Sequence, residues 1–181
     1  IVNCMLGDLH SELASALAGF TSLTEFVLSH RHGKTPWEEM CDKKAARIIS
    51  ALAGHSGLRK LALSGNQIGT LGCAALATTG LLQNPESRLT DLDLTDNPIN
   101  DSGRPDADLG AQFLASALLG NTSLTRLSLG CTDITAEGWT AMIAAFKSST
   151  CRLEHLDLSM NSFDDSTFTS LSNVLAKKCT L

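Results

Sequence analysis

The 181-residue chain has no run of about 18 apolar residues, so no helix that spans a bilayer is expected. Its first residues, IVNCMLGDLH, do not begin with Met and lack the basic start of a signal peptide. Concentrated positive charge is also missing: 14 Lys and Arg against 19 Asp and Glu give a net charge of −5, which argues against a nucleic-acid phosphate backbone as partner. The six cysteines form no CxxC pairs at zinc spacing and are too sparse for a disulfide scaffold, so a reducing, intracellular and cytoplasmic setting is expected. There is no glycine-rich phosphate loop, no G-x-S-x-G elbow and no H-E-x-x-H. With Ser, His and Asp dispersed, no catalytic residue, metal site or cofactor is assigned and the chain reads as a non-enzyme. The two N-glycosylation strings, at Asn100 and Asn121, carry no weight in a chain rich in Ser and Thr.

What is present is a repeat. LRKLALSGNQI, from Leu58 to Ile68, returns as LTDLDLTDNPI from Leu89 and LEHLDLSMNSF from Leu153. LTRLSLGCTDI from Leu124 puts Thr132 in the asparagine place, and LTEFVLSHRHG from Leu23 keeps the first half. Between the frames, LHSELASALAG, LGCAALATTGLL, LGAQFLASALLG and WTAMIAAF carry apolar residues at spacings of three and four, the mark of short helices. Each repeat is therefore a strand, a turn and a helix. The strand period of two sends Leu58, Leu61 and Leu63 inward and leaves Lys60 and Ala62 outward. One repeat cannot bury its leucines alone, whereas stacked repeats can.

A polar side chain held at one place in a leucine core needs its hydrogen bonds made. Asn66, Asn97 and Asn161 are predicted to form a ladder along the stack through their amides, with Thr132 contributing a shorter version.

The L-x-x-L-x-L-x-x-N-x-I frame, followed by a helix of the G-x-x-x-L-A-x-A-L kind, resembles a leucine-rich repeat, here of the ribonuclease-inhibitor-like subfamily. Ran GTPase activators and the repeat regions of NOD-like receptors belong to that group. The resemblance implies an α/β solenoid, a horseshoe with parallel strands on the concave face and helices on the convex face. It implies recognition of other proteins and no shared chemistry. A protein-binding module or scaffold is the leading expectation, with an integral subunit of a large assembly as the alternative. Stimulation of a GTPase is a weaker third, disposed of if saturating protein leaves GTP hydrolysis unchanged.

The frames start at residues 23, 58, 89, 124 and 153, and Leu181 would open a further one. A single domain over 1–181 with about five repeats is expected. Both ends cut through repeats without the polar caps solenoids use, so the expectation is a fragment of a longer chain.

In most repeats eight residues separate the frame's last position from the first core residue of the helix. From Gly33 to Ile48 and from Ile99 to Leu114 the distance is 15, an insertion of seven. These insertions, within HGKTPWEEMCDKK and NDSGRPDAD, leave the same rim in alternate repeats. Trp37 in the first, and Arg104 in the second, are candidate partner anchors. His30, His32, Cys41 and Asp42 have ligand-capable side chains at no standard zinc spacing, and a solvated loop is the expectation there. Cys151 and Cys179 would stack in adjacent repeats, where a buried thiol is favoured over a disulfide.

The outward strand positions complete the candidate site. The third column reads Glu25, Lys60, Asp91, Arg126, His155, alternating in sign and expected to satisfy itself in large part. The fifth reads Val27, Ala62, Asp93, Ser128, Asp157. With Asp96 at the eighth position of its frame, Asp91 and Asp93 make an acidic spot suited to a basic partner surface, although Asp96 also suits a turn.

Overall fold

The structure, a computed structural model, describes residues 10–20, 22–29, 41–100 and 108–178. The order is α1 (His10–Ala18), β1 (Glu25–Val27), α2 (Asp42–Leu52), β2 (Lys60–Ala62), α3 (Thr70–Thr78), β3 (Asp91–Asp93), α4 (Leu109–Leu119), β4 (Arg126–Ser128), α5 (Ala136–Lys147), β5 (His155–Asp157) and α6 (Asp165–Lys178). The five strands form one parallel sheet in sequence order, in the register Glu25, Lys60, Asp91, Arg126, His155. Contact runs between sequential neighbours, helix to next helix and strand to next strand, as a one-dimensional array requires.

The frame leucines are the reason the array is stable. Leu61, Leu92 and Leu127 lie at the middle of their strands and are almost wholly buried, as are Leu58, Leu89 and Leu124 at the frame starts. Facing them, Ile48, Leu76, Leu114 and Met142 come from the helices. Each such side chain removed from water contributes roughly 1.5–3 kcal/mol. The last frame is shallower, with Leu153, Leu156 and Leu158 only half-buried. Trp139, at the start of α5, is fully buried and packs on Phe163 of the next repeat, ring centroids 4.9 Å apart at 41°. Its indole N–H finds no acceptor among the described residues, so packing alone holds the ring.

Three sets of polar side chains join neighbouring repeats. In the first, Asn66 Nδ2 donates back to Leu28 O, and Asn97 Nδ2 to Leu63 O at 2.8 Å. Asn97 Oδ1 accepts from Asn66 N and Ile68 N, both at 2.9 Å. Asn161 Oδ1 likewise accepts from Thr132 N at 3.1 Å while its Nδ2 donates to Leu129 O. Thr132 is too short to reach back a whole repeat: its hydroxyl turns to Leu129 O in its own strand exit and to Asn161 Oδ1.

The second set lies three residues before the frame leucine. His55 Nε2 donates to Leu17 O at 2.9 Å, Asn121 Nδ2 to Leu82 O at 2.6 Å and Thr150 Oγ1 to Leu119 O at 2.8 Å. Asn121 is 4% exposed, so its role is internal.

The third set comes from the repeats with insertions. Asp42 Oδ1 accepts from Gly69 N and Gly72 N at 2.9 and 2.7 Å, and Oδ2 from Leu71 N at 2.7 Å. That carboxylate therefore caps α3 of the following repeat, where three otherwise orphaned N–H groups point outward. Asp108 holds the same place in the other inserted repeat and accepts from Thr135 N and Thr135 Oγ1 at the start of α5. Gly138 leaves room for it, because a Cβ there would lie 2.6 Å from Asp108 Oδ1. The insertion strings are thus shorter than the sequence pattern suggests. Asp42, Lys43 and Lys44 already belong to α2, and Asp108 is the N-cap of α4.

Candidate functional site: the concave sheet face

Strands of three residues expose few side chains, and the period of two decides which. At the middle position the leucines point into the core, while the third and fifth frame positions face the concave side. Val27, Lys60, Ala62, Asp91, Asp93, Arg126, Ser128, His155 and Asp157 line one open depression of about 650 Å³ there. Ala62 is outward yet only 5% exposed, because a methyl group sits below its longer neighbours. Glu25, at the outer end of the third column on β1, is exposed. The register therefore brings together the columns read from the sequence.

The electrostatics differ from the expected alternating ladder. Among the described residues the third column contains one ion pair, Lys60 Nζ to Asp91 Oδ2 at 3.9 Å. Arg126 and His155 are exposed and enter no ion pair with a described residue. The reason is physical. Holding two long side chains in one geometry costs entropy that a surface attraction of roughly 0–1 kcal/mol barely offsets. The column is matched in sign but mostly open to a partner.

The fifth-position aspartates act locally as well. Asp93 Oδ1 accepts from Thr95 N at 2.9 Å, and Asp157 Oδ1 from Ser159 N at 2.9 Å. At Asp157 this backbone bond from Ser159 holds the carboxyl below its ordinary value. Each aspartate thus closes the turn that ends its strand.

Asp96 plays a different part from Asp91 and Asp93. Its φ is +60°, in the left-handed region, and it does not line the depression. The same conformation recurs at the eighth position of each described frame, at Gly65 (+71°), Cys131 (+53°) and Met160 (+57°). Asp96 is therefore a turn residue of the strand exit, and Asp91 and Asp93 are the members of the acidic spot that line the depression. At the seventh position small residues permit close approach: a Cβ on Gly130 would lie 2.9 Å from Ser159 Oγ.

Trp37 and Arg104 lie outside the described residues, as do His30, His32 and Cys179. No group of three or more potential metal ligands occurs among the described residues. Cys73 is fully buried at the start of α3, and burial, with the Asp42 carboxylate beside it, pushes its thiol pKa far up. No helix of the described residues is long and apolar enough to cross a membrane.

Comparison with known proteins agrees with this geometry. A family model described as "Leucine Rich repeat" matches residues 57–77, 88–104 and 120–142, and another described as "Leucine Rich Repeat" matches 152–174. Among curated proteins, NACHT, LRR and PYD domains-containing protein 5 of Mus musculus is 32% identical over 146 residues, covering 81% of this chain. The Bos taurus protein of that name is 32% identical over 130 residues and 72% of the chain. This chain spans 11% of the length of either relative. Among solved structures, the tropomodulin C-terminal domain from Caenorhabditis elegans aligns with TM-score 0.67 at 14% identity, covering 93% of this chain and 92% of that one. The leiomodin-1 actin-binding site 2 structure aligns with TM-score 0.63 at 19% identity, covering 94% and 91%. At those identities the two structures speak to the fold.

Proposed function

Because this chain is a leucine-rich repeat protein, we propose that it works as a non-catalytic protein-binding module whose concave sheet face holds a macromolecular partner. Residues 1–181 act in this reading as one five-repeat unit of the ribonuclease-inhibitor-like kind. The observation that carries it is the contrast between inside and outside. Polar groups inside the repeats are bonded from one repeat to the next by Asn66, Asn97 and Asn161, whereas Glu25, Arg126 and His155 on the open face are left without ion partners among the described residues. Charged side chains displayed on a rigid sheet give a partner orientation and rate of encounter more than bulk affinity. Trp37 and Arg104 join the binding surface from the insertion rim in this reading.

Lysine-directed crosslinking of the native protein, read by mass spectrometry, tests it. Partner crosslinks are expected at Lys60 and, on the first insertion, Lys34. Crosslinks confined to Lys147, Lys177 and Lys178 would overturn the concave-face reading.

A second reading, an integral subunit of a larger assembly, draws on apolar residues exposed away from the sheet face. Phe168 is 62% exposed, and Leu71 and Leu119 are about half exposed. Size-exclusion chromatography of the native full-length protein separates the two, since a free species of monomer size argues against the built-in subunit.

A further inference from the structure

On β4 and β5 the charges of the concave face are sorted by row. In the third-position row, β4 and β5 present Arg126 and His155. In the fifth-position row, two residues further along, Asp93 of β3 and Asp157 of β5 flank Ser128 of β4. Neighbouring strands are about 4.8 Å apart and rows on one face about 6.6 Å apart. The backbone positions of Asp93 and Asp157 therefore stand roughly 9.6 Å from each other across Ser128, with Arg126 one row away. Toward β1 the same depression ends in uncharged Val27 and Ala62. Asp91, beside Arg126, is already taken by Lys60.

The geometry points to an extended partner segment carrying an acidic and a basic side chain two residues apart as the occupant of this face. The acidic side chain meets Arg126, and the basic one seats over Ser128 between Asp93 and Asp157. This deepens the proposed function and rests on it. The match comes from period: an extended chain repeats its facing side chains every two residues, at the spacing of the two rows. Arg126 offers a planar fork of donors that suits a carboxylate, and a cation over Ser128 is attracted by the aspartates on both sides. A segment with two like charges places one of them against its own sign. Since an extended segment can run in either direction, the face reads the mixture of signs and their spacing rather than their order.

The test uses the intact, isotope-labelled chain and nine-residue peptides of uncharged background as probes, followed by amide chemical shifts. One peptide carries Lys-Ser-Glu, one Lys-Ser-Lys, one Glu-Ser-Glu, and one Lys and Glu adjacent. The Lys-Ser-Glu peptide is expected to shift the amides of Arg126, Ser128 and Asp157 saturably, about tenfold more tightly than the other three, the size of a lost and reversed surface ion pair or two. Arg126→Glu reverses the charge where the acidic side chain would seat and is expected to move the preference to Lys-Ser-Lys by a similar factor. Arg126 is exposed, so the variant retains the fold, checked by the unchanged dispersion of its spectrum. Equal binding of all four peptides, no shift at those amides, or a preference unmoved by Arg126→Glu overturns the proposal. Partner crosslinks at Lys60 alongside any of those results leave the concave-face function standing; crosslinks confined to the helical side remove that function itself.

Discussion

Replacing Asn97 by alanine strikes the polar ladder where it is fully enclosed. Asn97 is 1% exposed and makes five hydrogen bonds through its side chain. Its Oδ1 is the acceptor for Asn66 N and Ile68 N, which belong to residues 3% and 0% exposed. The Asn97→Ala variant leaves both donors without a partner and removes the donor to Leu63 O. Each buried group left unsatisfied costs about 1–3 kcal/mol, and water entering the vacated space recovers part of that. A net loss of about 3 kcal/mol is expected. Thr132→Ala removes only a hydroxyl, since Asn161 Oδ1 still serves Thr132 N, and about 1 kcal/mol is expected. Asn84→Ala, an exposed turn residue whose Oδ1 accepts from Glu86 N alone, is the control at about 0.5–1 kcal/mol. Urea unfolding followed by circular dichroism, with m-values compared to confirm that one transition is being measured, reads all three. An Asn97→Ala loss no larger than that of Asn84→Ala would refute the reasoning, because the ladder would then be ornamental to stability.

Four further outcomes follow from the same structure. Asp42→Ala should cost about 1–2 kcal/mol by uncapping α3, and Asp42→Asn less, since an amide oxygen still accepts; equal losses in urea would show that the cap is not the cause. Gly138→Ala should destabilise by about 1–3 kcal/mol despite alanine's better helix propensity, because its Cβ meets Asp108 and Ile134 Cγ2 at 2.6 and 2.7 Å; a more stable variant in the same assay contradicts this. Asp157 has a lowered pKa when folded, so its contribution to stability is present above the ordinary aspartate value of 3.8 and is lost as pH falls through the lower folded value; carboxyl-carbon NMR should place its midpoint below 3.8. Native-state alkylation near pH 8 should label exposed Cys41 rapidly and buried Cys73 only after unfolding; comparable rates would mean that α3 opens readily.

The parts of this molecule that depend on period were legible in its sequence. Leu58, Leu61 and Leu63 recur at fixed intervals because burial alternates along a strand, and the structure buries all three. The cross-strand register of Glu25, Lys60, Asp91, Arg126 and His155 follows from the same alignment of frames. What escaped was contact between side chains set by distance rather than by period. Asp42 and Asp108 each stand 19 residues after a frame leucine, a coincidence visible in the chain, yet their carboxylates serve the next repeat and not their own. His55, Asn121 and Thr150 share a position and a task but no chemical type, so no motif marks them. The left-handed turn at the eighth position is announced only by Gly65. Asp96, Cys131 and Met160 adopt it because the stacked turn holds them there, at a cost of about 1 kcal/mol each. Charge complementarity in the third column was readable in sign, and its pairing was not, since solvent and rotamer freedom decide between contact and separation.

The concave face as the binding surface is the central claim, and site-specific photo-crosslinking in the native setting tests it most directly. A photoreactive side chain at Ser128, on the sheet face, is compared with one at Ala144, exposed on the outer side of α5. A discrete protein adduct is expected from Ser128 and none from Ala144. An adduct from Ala144 with none from Ser128 would contradict it.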